Sequence, residues 1–202
     1  MKKGKKILPT KQSDRKTSII TAATSIFAKK GYERTTLKDI AAEVGISKAT
    51  LYYYYGSKHI LFFDIVHKNI TDAIEGLNQI VNSSRPTKEK IDLSFRQHFK
   101  FYIADYPGPS VMLHEKTNVF PQDLEIRVKN KFREYITLWD NVLKEGVDSG
   151  IIRSDLDIKV MRWAAIGMCN WVYKWADLNG RLEFNQISEI FSKLYTEGIL
   201  AK

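Results

Sequence analysis

TLKDIAAEVGISKATLYYYYGSK, residues 36–58, reads as two short amphipathic helices that meet at a tight corner. Leu37, Ile40, Ala41 and Val44 recur at intervals of three and four, which gives the first helix one apolar face. Gly45 stops it, since glycine reaches the positive φ of such a corner at no steric cost. Ile46 plugs the angle, Ser47 caps a second helix, SKATLYYYY, and Gly56 closes it. The pattern is that of a helix-turn-helix. With Ile40, Ala41 and Leu51 turned inward, Lys48, Ala49, Tyr52, Tyr53 and Tyr54 have little room in so small a core. Four consecutive tyrosines on one short helix cannot all be buried, and Leu51 and Tyr55 are the residues expected inside. Tyr52 suits both tasks, burying its ring while its hydroxyl donates. An exposed row of phenols beside a lysine fits a groove lined with phosphates.

The charge distribution points the same way. Residues 1–60 hold 13 Lys and Arg against 4 Asp and Glu, whereas residues 61–202 hold 19 against 19. The net +9 therefore sits entirely in the segment that carries the helix-turn-helix. Local basic charge attracts polyanions by counterion release, and double-stranded DNA and an anionic membrane both satisfy it. A membrane surface would need a basic amphipathic helix with apolar bulk, and Met1–Ser13 lacks that periodicity.

Outward from the corner, helical spacing continues almost throughout. Residues 1–13 read as a flexible basic arm. A first helix, with Ser13 as its cap and Ile19, Ile20, Ala23, Ile26 and Phe27 on one face, ends near Gly31. A long fourth helix opens at Ser57 or its neighbour and carries Phe62, Val66, Ile70, Ala73, Leu77 and Val81. The fifth bears Ile91, Phe95, Phe99 and Tyr102 and stops at Pro107-Gly108-Pro109. A brief sixth, SVMLHEKT, precedes a break at Pro121. The seventh bears Leu124, Val128, Phe132, Tyr135, Trp139 and Val142 and ends near Gly150, and the last two span roughly 157–178 and 184–199. The expected fold is all-α, of about nine helices.

Composition excludes several function classes. No stretch reaches the ~20 apolar residues of a membrane span, and no apolar run follows the N-terminal lysines as in a signal peptide. The single cysteine, Cys169, allows neither an internal disulfide nor a zinc cluster of cysteines, which points to a cytoplasmic protein. His59, His67, His98 and His114 form no HExxH pair, and no phosphate-binding glycine loop or G-x-S-x-G elbow is present. Cys169, inside an aromatic-rich helix, reads as a small hydrophobe. Neither an enzyme nor a metal or other cofactor is expected.

The run from Ile20 to Leu61 resembles the DNA-binding domain of the TetR family of transcriptional regulators. AATSIFAKKGY, then TTLKDIA, then GISKATLYYYYGSK carry the likeness, with Tyr55 where the family usually has phenylalanine. The resemblance implies that Thr36 caps the second helix and touches a phosphate. It implies that Lys38, Lys48, Ala49 and Thr50 approach the groove beside the cap Ser47, and that Tyr52, Tyr53 and Tyr54 contact backbone or base edges. It places Lys58 on a phosphate. Residues 14–60 then form the DNA-binding domain, and residues 61–202 a ligand-binding and dimerisation domain.

In that family, helices four to seven enclose a ligand cavity and the last two helices pair with a partner's. The local pattern agrees. Ile187, Ile190, Phe191, Leu194, Tyr195 and Gly198 stripe the last helix, and Val160, Trp163, Ala164, Gly167, Met168, Trp171 and Trp175 stripe the one before. Burial within one protomer is the alternative use of both stripes. Phe99, Tyr102, Met112, Trp139, Met168 and Trp171 are the expected cavity wall, with His98, His114 and Asn170 as candidate polar anchors. The segment MCNWVYKWADLNGRL is similar to that of members sensing acyl-coenzyme A or related lipids, which makes an acyl-coenzyme A or fatty acid the first effector expected. Arg96, Lys100 and Arg162 are candidates for its charged end, solvated surface positions being the alternative for each. A regulator of an efflux or stress gene that senses diverse hydrophobic or aromatic compounds is the other reading.

Overall fold

The computed structural model describes residues 11–103, 119–176 and 180–201. The expected sixth segment, with Met112 and His114, lies outside them, as do the first ten residues of the basic arm. Eight helices occupy the described residues: α1 (Lys11–Lys30), α2 (Leu37–Val44), α3 (Lys48–Tyr54), α4 (Lys58–Val81), α5 (Thr87–Ile103), α6 (Gln122–Asp148), α7 (Ile158–Trp175) and α8 (Phe184–Ile199). No strand occurs among them. One isolated antiparallel bridge joins Ile152 to Leu200 and ties the turn after α6 to the end of α8. The first helix begins at Lys11 and runs through Ser13, so Ser13 is not its cap. Lys11 and Gln12 are good helix formers, and the serine is tolerated in the first turn.

α1, α2 and α3 form a small head around Ile19, Ala23, Phe27, Ile40, Ala41 and Leu51. α4 leaves this head and packs most extensively against α6, then against α5. α5 is the hub of the larger half, touching α4, α6, α7 and α8. Its buried Ile91, Phe95 and Phe99 meet Trp139, Val142 and Leu143 of α6 and Ala165, Cys169 and Val172 of α7 in one continuous core. Where α6 nears its end the chains approach closely. A Cβ on Gly146 would lie 2.6 Å from the Ile152 side chain, so only glycine fits there without displacing it.

Candidate nucleic-acid interface

α2 and α3 each start on a cap of their own. At α2 the Thr36 hydroxyl accepts from the Asp39 N–H at 3.2 Å, and the Asp39 carboxylate accepts from the Thr36 N–H and hydroxyl, both at 2.9 Å. This reciprocal box satisfies two groups that a helix N-terminus otherwise leaves open. The hydrogen bond from the Thr36 backbone is the main reason that the Asp39 carboxyl lies below its ordinary pKa. At the other end Gly45 takes φ 70°, and its N–H returns to the Ala41 and Ala42 carbonyls. The chain turns at once into Ser47, whose Oγ accepts from the Thr50 N–H at 3.0 Å and lies 2.8 Å from the Thr50 hydroxyl. The corner read from the sequence is the corner observed.

Leu51 and Tyr55 are buried, as expected, Tyr54 is half-buried against the core, and the rest of α3 faces out. Lys48, Ala49 and Thr50 are exposed on its first turn. Tyr53 is 78% exposed with Tyr54 edge-on at 5.5 Å, and the Lys48 ammonium sits 5.4 Å from the Tyr52 ring centroid. Thr36, Lys38, Lys48, Tyr52, Ser57 and Lys58 all line one concave cleft of about 410 Å³, where the starts of α2 and α4 meet the flank of α3. Three lysine side chains and a phenol around one hollow suit an anion, with the single Glu33 carboxylate also in the lining. Exposed Ala49, Thr50 and Tyr53 and the half-buried Tyr54 lie outside that hollow.

Two arrangements in the head were not read from the sequence. The Lys58 ammonium donates to the carbonyls of Tyr32 at 2.8 Å and Glu33 at 3.3 Å and rests 4.1 Å from the Tyr32 ring centroid. It therefore braces the α1–α2 turn from the first residue of α4. The second concerns Tyr55. Its hydroxyl donates to Asp64 of α4 at 3.2 Å, and Lys16 of α1 pairs with the same carboxylate at 2.9 Å. The only hint was a tyrosine where the resembling family usually has phenylalanine.

In the larger half the expected cavity residues part company. Phe99 and Trp139 are buried and Met168 is half-buried against the core. Trp171 is not with them: it is 63% exposed on the outer face of α7. Helical spacing puts it in line with exposed Val160, Trp163, Ala164 and Gly167, whereas its neighbour Val172 takes the inward place. The Tyr102 side chain lies outside the described residues. Exposed Ile190 and Leu194 of α8 continue the apolar outer face, while Ile187 and Tyr195 turn inward. Arg162, weighed as a solvated cation, is instead buried and paired with Asp140. Arg96 pairs with Asp92 at 2.8 Å, and Lys100 is exposed. His98 is buried, with Nδ1 2.7 Å from the Tyr135 hydroxyl and Nε2 3.2 Å from Asn170 Oδ1. Burial holds its pKa down at about 4, because a charged ring would lose its hydration. No helix among the described residues is long and apolar enough to cross a membrane.

Comparison with known proteins covers both halves. Residues 19–65 match the family described as bacterial regulatory proteins, tetR family, and residues 84–199 match the tetracyclin repressor-like C-terminal domain. The fatty acid metabolism regulator protein of Bacillus subtilis (strain 168) is 24% identical over 184 residues, 90% of this chain and 93% of that one. The ketosteroid transcriptional regulator KstR2 of Mycobacterium tuberculosis superposes with a TM-score of 0.84 at 21% identity, covering 98% of this chain and 100% of that one. AibR, solved with isovaleryl coenzyme A and operator DNA, superposes with a TM-score of 0.80 at 22% identity over 89% of this chain and 97% of that one.

Proposed function

The chain belongs to the TetR family of bacterial regulatory proteins, and from that premise we propose a dimeric repressor that a small, largely apolar effector releases from its operator. The observation that carries the DNA half is the cleft in which Thr36, Lys38, Lys48, Tyr52 and Lys58 converge. In this reading the cleft seats a backbone phosphate, while Ala49, Thr50, Tyr53 and Tyr54 of α3 meet the major groove. Two recognition helices of a dimer then enter successive grooves about 34–36 Å apart, so the operator is an inverted repeat. The partner's copy covers the outer face of α7 and α8, where Val160, Trp171 and Leu194 are each at least 60% exposed in the protomer. Trp163 on the same face adds an aromatic anchor of the kind that dominates interfaces.

The effector reading follows the relatives. A regulator named for fatty acid metabolism and a structural neighbour holding an acyl-coenzyme A support an acyl-coenzyme A or fatty acid as the ligand of the larger half. An effector reverses occupancy from 99:1 to 1:99 only if it prefers the released form by about 10⁴-fold. α4 runs from the cleft at Lys58 to the core of the larger half and is the lever between them. The test selects operators from a random duplex library, then titrates acyl-coenzyme A compounds, free fatty acids and aromatic drugs into the protein–operator complex. An inverted repeat released by acyl compounds of increasing chain length is expected, at about 0.8 kcal/mol per buried methylene. Release by aromatic drugs alone would replace the lipid sensor with a general sensor of hydrophobic compounds, and failure to select any duplex would overturn the DNA reading.

A further inference from the structure

Lys90, Ser94 and His98 stand one turn apart on a single face of α5, and all three are buried. α6 runs antiparallel along that face and is bonded to it at two levels. Lys90 Nζ donates to both Glu145 carboxylate oxygens at 3.1 Å, and His98 Nδ1 lies 2.7 Å from the Tyr135 hydroxyl. Ser94 sits midway between those levels, and the α6 turn at the matching height carries Trp139. Both residues have no exposed surface. Neither Ser94 Oγ nor Trp139 Nε1 has a hydrogen-bond partner among the described residues. α7 closes the third side: His98 Nε2 reaches Asn170 Oδ1 at 3.2 Å, and the imidazole stands edge-on to the Trp139 ring at 6.2 Å between centroids. Buried donors without acceptors are uncommon and costly, and here two share one level of the core.

We propose that this level between α5, α6 and α7 is the polar end of the effector site, where Trp139 Nε1 and Ser94 Oγ donate to a neutral carbonyl oxygen such as that of a thioester, ester or ketone. This rests on the reading that the larger half binds a small apolar molecule. Both groups can donate, and the indole N–H can do nothing else, so the group they receive is an acceptor. Its neutrality follows from the charges around it. The buried Lys90 is balanced by Glu145 and the buried Arg162 by Asp140. His98 is neutral at pH 7, burial having lowered its pKa to about 4. A carboxylate entering here would find no unbalanced buried cation among the described residues, and an unpaired buried charge is far costlier than a carbonyl. An acyl thioester therefore fits this level better than the free acid of the same chain.

The test uses the full-length protein without DNA and five probes: methyl decanoate, decanoate, undecane, benzophenone and diphenylmethane. The readouts are affinity and the indole ¹⁵N–¹H resonance of Trp139, identified by its loss in Trp139→Phe. A carbonyl probe is expected to bind roughly tenfold tighter than its hydrocarbon counterpart and to move that resonance downfield. At pH 7.5 decanoate should bind at least about tenfold more weakly than its methyl ester. Trp139→Phe removes the donor and should abolish the carbonyl preference. Ser94→Ala, a smaller change to the core, should reduce it and so guards against a misfolded tryptophan variant. Hydrocarbon and carbonyl binding alike with the resonance unmoved, or decanoate matching its ester, overturns the site and leaves an apolar effector standing. Binding of the aromatic pair alone overturns the lipid effector, and the preference within that pair then decides the site. Failure of all five to bind overturns both.

Discussion

The head and the larger half of this protein are held together by contacts of different reach. In the head, the groups that shape the interface bond within a few residues of themselves: Thr36 to Asp39, Ser47 to Thr50, Gly45 to Ala41. In the larger half, the groups that shape the interior come from distant helices. His98 meets Tyr135 and Asn170, Thr87 and Lys90 meet Glu145, and Asp92 meets Ser192 of α8. A local site is rebuilt wherever its short segment folds, so spacing alone betrays it. A site assembled from three helices depends on their mutual register, which composition and periodicity do not encode.

The largest expected effect lies on the outer face of α7 and α8, where the proposed second copy would pack. Leu194→Glu leaves the protomer core intact, because Leu194 is 60% exposed there. It would set a carboxylate against the partner's apolar face, which is costly to bury. Monomers are expected in sedimentation, with operator affinity down by roughly 10²–10⁴-fold as two linked heads become one. Phe191→Glu is the poorer probe, since Phe191 packs on Phe99 and Trp175 of its own protomer. An intact dimer for Leu194→Glu would move the interface elsewhere.

Next in size is the pH dependence that the buried His98 imposes on the larger half. Its folded pKa of about 4 lies below the ordinary value of 6.5. As pH falls between these values the unfolded chain takes up the proton first, so stability present above pH 6.5 is progressively lost toward pH 4. The slope is about 1.4 kcal/mol per pH unit, or roughly 3 kcal/mol in all. Below pH 4 both states are protonated and this contribution stops changing. Urea unfolding at pH 4.5 and 7.5 should show the loss in the wild type and a smaller loss in His98→Gln, which keeps a donor and an acceptor. Equal losses in both proteins would assign the acid limb to other groups.

The same contrast explains what could be read before the fold was known. Thr36, Gly45, Ser47, Gly56 and Ser57 are all cap, corner or closing residues, and each announces itself by type and position. Leu51 and Tyr55 followed from the inward face of a short helix. Trp139 and Trp171 show where this stops: both are tryptophans on apolar stripes, yet one is wholly buried and the other faces outward. An apolar stripe says that a face is to be covered, and not whether its own protomer or a partner covers it. Arg162 misleads for the opposite reason, because burial needs a partner and Asp140 lies 22 residues away. Ser13 is a cap by type that the helix overruns, since tolerable residues precede it.

A smaller effect tests the local character of the head directly. Ser47→Ala removes the acceptor for the Thr50 N–H and should cost about 1 kcal/mol. Ser47→Gly should cost only a few tenths of a kcal/mol, because glycine lets water reach the freed N–H. The contrast is read by thermal unfolding of the two variants. Losses of equal size would mean that tertiary packing, not the cap, starts α3.

The smallest effect concerns the one residue of the interface that does not obey the local rule. Lys58 lines the cleft with Thr36 and Lys48, yet its ammonium bonds to carbonyls 26 and 25 residues earlier in the chain. Two roles are therefore combined in one cation: a brace for the α1–α2 turn and a phosphate contact for the proposed operator. Lys58→Met deletes both, keeping only an apolar stem against the Tyr32 ring, and the salt slope and the melting temperature then report on the two roles separately. If Lys58 neutralises one phosphate, the slope of log affinity against log salt concentration should fall in magnitude by about 0.9. The loss should be equal on operator and random duplex, because a phosphate contact carries no sequence information. Lys48, on the exposed first turn of α3, supplies the contrast. Lys48→Ala should relax preference at particular base pairs by about 1–3 kcal/mol if its ammonium reads guanine. An unchanged slope in Lys58→Met, with a lowered melting temperature, would leave Lys58 as a strut alone. The head would then depend on long-range register for its shape just as the larger half does, and the phosphate seat would rest on Thr36, Lys38, Lys48 and Tyr52.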